Sequence, residues 1–466
     1  MKKYVILLLL LGTIFSAKSQ DLSGTWTGVL NTGSGTLRLV FHLNASNGNY
    51  TATMDSPDQG ATGIPVDKVQ FDKGEVTLAV SAIGLTYSGK PATDAKTIDG
   101  TFTQGSFTTP MQLVYSNAET KQVRPQDPVT FPYMVEDIVF ENKLAGIKLA
   151  GTLTVPTLSR TNKIVILISG SGPQNRNEEL GVFNHRPFLV VSDYLTRSGI
   201  AVLRFDDRGV AQSEGNFSDA TTADFATDVE AAILYIKQRP DLANFQIGLI
   251  GHSEGGLIAP MVAARNKMVN FIVLLAGPGV SGKQVLLTQI EDIMRVSKMS
   301  DTLINHTLNT SAALYNYMQK NSQMPDSLLR KNLKNVAITQ ISKYPTSYLS
   351  GASVDQLAEE QVDQIFNKWF RYFLEYDPYN DLKKLSCPVL ALNGSTDLQV
   401  NAQINLGAIE KALKKSKSKK FQTVELPGLN HLFQKSATGL PSEYGKIEET
   451  FNAEALEKIT LWIQSL

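Results

Sequence analysis

From Leu22 to about Tyr115 apolar and polar positions alternate. Leu37, Leu39, Phe41 and Leu43 are interleaved with Arg38, Val40 and His42; Val76, Leu78 and Val80 repeat the pattern, as do Met111, Leu113 and Tyr115. Alternation puts every second side chain on one face of a strand. Asn31-Thr32-Gly33, Ser46-Asn47-Gly48 and Asp72-Lys73-Gly74 separate these runs with residues that turn the chain. The pattern predicts an antiparallel β module over residues 20–115, a meander closing as a small sandwich or barrel. It holds no catalytic grouping and reads as a structural or docking module, with carbohydrate or lipid binding as the alternative.

Pro125, Pro128 and Pro132 fall in the polar stretch 116–133, which reads as a linker because proline continues neither a helix nor a central strand. Beyond it the pattern changes. Two strand-like runs lie between Ile138 and Val155. Buried strands at Ile164–Ile168, Ile200–Phe205, Gln246–Ile250, Phe271–Leu275, Val389–Leu392 and Phe421–Leu426 then alternate with helical periodicities at Ala223–Gln238, Gln403–Leu413 and from Ala453. This predicts an α/β domain over 134–466: a doubly wound, mostly parallel sheet covered by helices on both faces. The alternation breaks between about Pro278 and Pro378. A stretch of about 100 residues is too long for a loop, and its helical periodicity predicts a helical cap over the sheet edge where open α/β sheets bind ligands.

Composition narrows the field. The chain has 466 residues, with 44 basic and 44 acidic side chains and zero formal net charge. That balance gives no electrostatic basis for broad binding to nucleic acid or an anionic membrane. A single cysteine, Cys387, excludes an intramolecular disulfide and a Cys-rich zinc site; placed just before a strand, it reads as structural. Lys2 and Lys3, the apolar run Tyr4–Phe15 and the small residues of Ala17-Lys18-Ser19 read as a signal peptide over 1–19, cleaved near Ser19-Gln20. The expectation is an exported chain, periplasmic or extracellular. No later segment approaches the roughly 20 apolar residues of a membrane helix.

The chemistry concentrates at Gly251-His252-Ser253-Glu254-Gly255-Gly256, between the strand Gln246–Ile250 and the apolar helical run Leu257–Ala264. A G-x-S-x-G sequence at a strand-to-helix junction is a tight turn that exposes a serine hydroxyl, and its glycines avoid collisions with neighbouring backbone. A serine needs a base at neutral pH. Among His42, His185, His252, His306 and His431, the best placed is His431, which lies after the late strand Phe421–Leu426 and C-terminal to the serine. His185, after the first strand's loop, is the rival. Asp397, directly after Val389–Leu392, is the candidate to orient His431; Asp377 and Asp381 are rivals by chain order only. For the oxyanion, the N–H of Glu254 and one from Ser169-Gly170-Ser171-Gly172-Pro173 are the candidates, assigned to Ser171 with Gly172 as its neighbour. Gly170-Ser171-Gly172 also begins like a dinucleotide fingerprint, but Asn175 stands where the third glycine belongs.

These segments, with Asp206-Asp207-Arg208-Gly209, Cys387-Pro388-Val389 and Gly428-Leu429-Asn430-His431, resemble an α/β-hydrolase of the esterase and serine-aminopeptidase-like group, including cinnamoyl-type esterases. The resemblance runs from about Glu136 to Leu466 and implies hydrolysis of small acyl or aryl carboxylic esters through an acyl-enzyme on Ser253, with no cofactor and no metal. Where many members have His-Gly before the oxyanion loop, this chain has Ser169-Gly170. A serine aminopeptidase using the same triad is one alternative, and a non-catalytic binding protein acting through the β module is another. Three further features read softly. Asp206–Gly209 shapes the site from a neighbouring loop. Glu178-Glu179 reads as a solvated loop, with capture of a peptide amino terminus as the alternative. Trp369, Phe370, Tyr372, Phe373 and Tyr376 read as cap packing, with a pocket lining as the alternative.

Overall fold

The computed structural model describes residues 21–31, 36–46, 49–56, 61–105, 107–116, 124–158, 161–349 and 352–466. The leader read over 1–19 and the turn tips at 32–35 and 47–48 lie outside them. The chain divides into two compact units, Met1–Ser56 with Gly63–Thr120, and Pro57–Thr62 with Lys121–Leu466.

Among the described residues of the first unit nine strands follow one another: β1 (Gly24–Asn31), β2 (Thr36–Ser46), β3 (Asn49–Ser56), β4 (Ala61–Val66), β5 (Lys68–Asp72), β6 (Glu75–Val80), β7 (Leu85–Pro91), β8 (Thr97–Gln104) and β9 (Phe107–Ser116). They form a single antiparallel sheet in the order β4-β3-β2-β1-β9-β8-β7-β6-β5. The alternation sends Trp26, Phe41, Met54, Leu78, Tyr87, Ile98 and Leu113 into one shared core. The polar tips buried with them are satisfied: the Trp26 indole donates to Leu22 O at 2.8 Å and the Tyr87 hydroxyl to Ile98 O at 2.8 Å.

The described residues of the second unit are built on eight strands: β10 (Met134–Asn142), β11 (Ile147–Val155), β12 (Lys163–Ile168), β13 (Ala201–Phe205), β14 (Gln246–His252), β15 (Val269–Leu275), β16 (Val389–Gly394) and β17 (Phe421–Leu426). Their order is β10-β11-β13-β12-β14-β15-β16-β17. β10, β11 and β13 pair antiparallel, and every pairing from β13 through β12 to β17 is parallel. Continuous runs such as Lys163-Ile164-Val165-Ile166-Leu167-Ile168 are buried on both faces, as a helix-covered parallel sheet requires. Helices α1 (Pro187–Arg197) and α11 (Ala453–Gln464) pack with Val165 and Leu167 on one face. Helices α2 (Thr222–Gln238), α3 (Gly255–Arg265) and α10 (Ala402–Leu413) pack with Ile164 and Ile166 on the other. Between β15 and β16 the cap comprises α4 (Gly282–Val296), α5 (Asp301–Lys320), α6 (Asp326–Ile341), α7 (Val354–Ile365), α8 (Lys368–Glu375) and α9 (Tyr379–Leu382). It has a core of its own around Leu314, Leu329, Leu333, Val362 and Phe370.

The stretch read as a linker over 116–133 differs from that reading at its C-terminal end. Arg124 is buried, and its guanidinium donates to Phe183 O and Ile447 O. Gln126 Oε1 accepts from Thr450 N at 2.6 Å and Phe451 N at 3.0 Å, and the Tyr133 hydroxyl donates to Asp193 at 2.6 Å. The prolines exclude regular structure here, and side-chain hydrogen bonds fix the chain to the second unit instead.

Candidate active site

β14 hands the chain to α3 through Ser253, which adopts a left-handed φ of 52°. For a residue with a side chain this is strained backbone. The motif glycines make the turn possible. A Cβ at Gly251 would sit 2.0 Å from Gly255 O, and one at Gly255 would sit 2.2 Å from Ile168 O. The Ser253 N–H donates to Leu275 O at 2.9 Å. The turn therefore stands Ser253 at the C-terminal edge of the parallel strands, at the positive end of α3.

The loops after β16 and β17 meet at the same edge. Thr396 N donates to Leu429 O at 3.0 Å, and Gly394 lies so close to Leu429 that a Cβ there would be 2.0 Å from its carbonyl oxygen. This brings His431 Nδ1 within 2.9 Å of Asp397 Oδ2, with the two side chains 5% and 0% exposed. A carboxylate only accepts, so Nδ1 carries the proton and Nε2 keeps its lone pair. Asp397 Oδ1 accepts from Gln399 N at 2.8 Å and Val400 N at 2.9 Å, which fixes the carboxylate plane. The His431 ring lies 4.8 Å, centroid to centroid, from that of His252, the residue before Ser253.

The loop after β12 passes against the serine: a Cβ at Gly170 would be 3.2 Å from Ser253 Cβ. The Gly170 N–H is engaged, donating to Glu178 Oε1 at 2.7 Å. Among the described residues, the N–H groups of Ser171 and Glu254 have no protein acceptor. The Glu254 side chain is buried. Its Oε1 accepts from Thr222 Oγ1 at 2.6 Å and from the Trp369 indole of the cap at 2.7 Å, and burial raises its pKa.

The sequence reads Glu178 with Glu179 as a solvated loop, with capture of a peptide amino terminus as the alternative, and gives His252 no role in the site. Glu178 is 6% exposed rather than solvated, and it holds a left-handed φ of 52°. Its Oε1 lies 2.8 Å from His252 Nδ1, and His252 Nε2 donates to His431 O at 2.9 Å. Burial opposes charge on His252, but the Glu178 carboxylate outweighs it and raises the imidazole pKa.

The remaining candidates are placed elsewhere or in support. His185 is fully buried, with Nε2 donating to Thr450 O at 2.9 Å and burial pushing its pKa down to about 3. His306 packs on the Tyr344 ring in the cap, and His42 belongs to the first unit. Asp377 accepts from Tyr379 N in a turn, and Asp381 from the Tyr376 hydroxyl. Asp206 pairs with Arg176 and Arg208 with Asp228. Asp207 accepts from Ser169 Oγ at 2.8 Å and Gln174 N at 2.9 Å, so it shapes the loop that carries Ser171. Burial pushes the Asp207 carboxyl up to about 8. Of the cap aromatics, Trp369 and Phe373 pack by Leu257 of α3, Phe370 packs in the cap core, and Tyr372 and Tyr376 pack on the sheet unit's core. Among the described residues no cluster of His, Cys, Asp or Glu is arranged to hold a metal ion, and no helix is long and apolar enough to cross a membrane.

The eight-stranded sheet, the strained serine turn and the inserted cap define an α/β-hydrolase fold, preceded by a separate antiparallel β-sheet domain. The family described as serine aminopeptidase, S33, matches residues 181–435, more than half of the chain, and the chain belongs to it. Esterase EstD of Thermotoga maritima is 25% identical over 270 residues, which cover 58% of this chain and 55% of that protein; the chain thus spans about half the length of this relative. Among solved structures, the esterase Pf2001 of Pyrococcus furiosus matches at 15% identity and a TM-score of 0.42, over 74% of this chain and 98% of that one. Est1E of Butyrivibrio proteoclasticus, bound to ferulic acid, matches at 18% identity and a TM-score of 0.38, over 70% and 96%.

Proposed function

We propose that the second unit hydrolyses small acyl or aryl carboxylic esters through an acyl-enzyme on Ser253. The observation that carries this reading is the 2.9 Å bond between the buried His431 Nδ1 and Asp397 Oδ2, at the strand edge where the turn presents Ser253. Ser253 Oγ bonds to the ester carbonyl carbon while its proton passes to His431 Nε2. The carbonyl oxygen gains negative charge and is met by the N–H groups of Glu254 and Ser171; each such donor typically contributes about 3 kcal/mol in the transition state. Collapse breaks the bond to the alcohol oxygen, which takes the proton from His431. Water then repeats the sequence on the acyl-enzyme, releasing the acid and restoring Ser253.

The family description and the shared chemistry keep aminoacyl amides in view as a second substrate class. The acids beside the serine favour uncharged acyl groups. Glu254 is engaged by Thr222 and Trp369, Glu178 by Gly170 and His252, and Glu179 by Asn175. A panel of nitrophenyl esters and aminoacyl anilides, run with wild type and Ser253→Ala, tests the reading. Ser253-dependent ester turnover is expected; equal ester turnover in both proteins overturns the esterase reading. Turnover of anilides in preference to esters moves the chain to the peptidase class. The basic–apolar–small pattern of residues 1–19 supports export, and cell fractionation tests it.

A further inference from the structure

We propose that Glu178 and His252 act as a buried pair of positioning residues that sets the base and the oxyanion loop together; the proposal rests on the serine-hydrolase reading of Ser253. One carboxylate oxygen, Glu178 Oε1, touches both halves of the reaction centre. It accepts the Gly170 N–H at 2.7 Å, immediately before Ser171, and faces His252 Nδ1 at 2.8 Å. On its other side His252 donates Nε2–H to the His431 carbonyl at 2.9 Å. A carbonyl only accepts, so Nε2 must carry a proton. With Glu178 ionised, Nδ1 carries one as well, and a single imidazolium then serves both partners. The chain Gly170–Glu178–His252–His431 ties three loops that are far apart in sequence. The side chains of Glu178, His252 and His431 are each nearly sealed from solvent.

The local sequence is shaped around this contact. Glu178 takes a left-handed φ of 52° that a residue with a side chain holds only when its surroundings impose it. Gly170 has no room for a Cβ without approaching Glu178 Oε1 to 3.3 Å and Ser253 Cβ to 3.2 Å. The effect of these contacts is on geometry, where a displacement of about 1 Å can cost on the order of 100-fold in rate.

The test is steady-state kinetics on a nitrophenyl ester with Glu178→Gln, His252→Gln, His252→Leu and the Glu178→Gln/His252→Gln double variant, alongside melting curves. Gln at 178 keeps size and hydrogen-bonding capacity but removes the charge that holds both protons on His252. Gln at 252 keeps a donor for the His431 carbonyl, and Leu does not. The expected result for Glu178→Gln is an intact fold, KM within about two-fold and kcat lower by about 10-fold or more. His252→Gln retains more kcat than His252→Leu, and the double variant is no slower than the slower single. An unchanged kcat in Glu178→Gln, a loss confined to KM, or losses that multiply in the double variant overturns the proposal. If Glu178→Gln does not fold, the comparison of His252→Gln with His252→Leu decides. Normal Glu178→Gln kinetics beside an inactive Ser253→Ala refutes the pair and leaves the hydrolase reading standing. A Ser253→Ala protein as active as wild type refutes the hydrolase reading itself.

Discussion

The Trp369 indole donates to Glu254 Oε1 at 2.7 Å, so a residue of the cap is bonded to the residue that follows Ser253. Trp369 also stacks on Phe373 at 5.1 Å. The cap is therefore registered against the reactive turn by this polar contact and by the packing of Trp369 and Phe373 beside Leu257 of α3. Trp369→Phe keeps the stack and removes a donor from a buried carboxyl, a loss of about 1–3 kcal/mol. Calorimetry should show a lower Tm, and KM for bulky aryl esters should rise several-fold with a smaller change in kcat. An unaltered Tm and KM would mean the contact does not hold the cap.

Asp397→Asn tests the orientation of His431. The two backbone donors at Gln399 and Val400 would keep the amide oxygen on their side and turn the amide nitrogen toward His431 Nδ1. Nδ1 then has to accept, the proton moves to Nε2, and the base is lost. The expected fall in kcat is about 10⁴-fold with the fold retained, read by steady-state turnover and circular dichroism.

Asp207 predicts a pH dependence of stability. Its ordinary pKa of 3.8 is raised by burial to about 8 in the folded chain. Below the unfolded value both states hold the proton. Between about 4 and about 8 the folded chain holds it and the unfolded chain does not, so stability falls as pH rises through that window. Asp207→Asn lacks this slope. Its Tm relative to wild type should rise by several degrees from pH 5 to pH 8; a constant difference across that range would contradict the shifted carboxyl.

Cys387 is held as a thiol. Burial pushes its pKa up to about 11, from an ordinary 9.0. At pH 8 an aromatic disulfide reagent should leave the folded protein unmodified and its turnover unchanged, and should titrate one thiol after denaturation. Rapid modification of the native protein would place Cys387 in a different environment.

The sheet and its serine turn were legible because each is a local signal. The continuous apolar run Ile164–Ile168 means burial on both faces, and the glycine at 251 marks a backbone collision with Gly255 within the same turn. The sheet of the first unit was half legible: alternation assigns faces to strands but does not say how the sheet curves, so one sheet and two stacked sheets read alike. The helix α8 carried three signals at once. Its aromatics divide among the reactive turn, the cap core and the sheet core, and one sequence stripe cannot say which neighbour each face meets. Glu178 was illegible for a stronger reason: its partners, Gly170 and His252, come together only in the folded chain.

The attachment of Arg124 and Gln126 has a practical bearing on how the two units are to be separated. A cut placed at residue 134, where the strands of the sheet begin, would remove the guanidinium that holds Phe183 O and Ile447 O and the amide that holds Thr450 and Phe451. The severed enzyme would keep every reactive group and lose the clasp between its early loop and its C-terminal segment. A hydrolase freed of its β unit should therefore begin before Arg124, and limited proteolysis of the whole chain should leave Arg124–Tyr133 with the larger fragment.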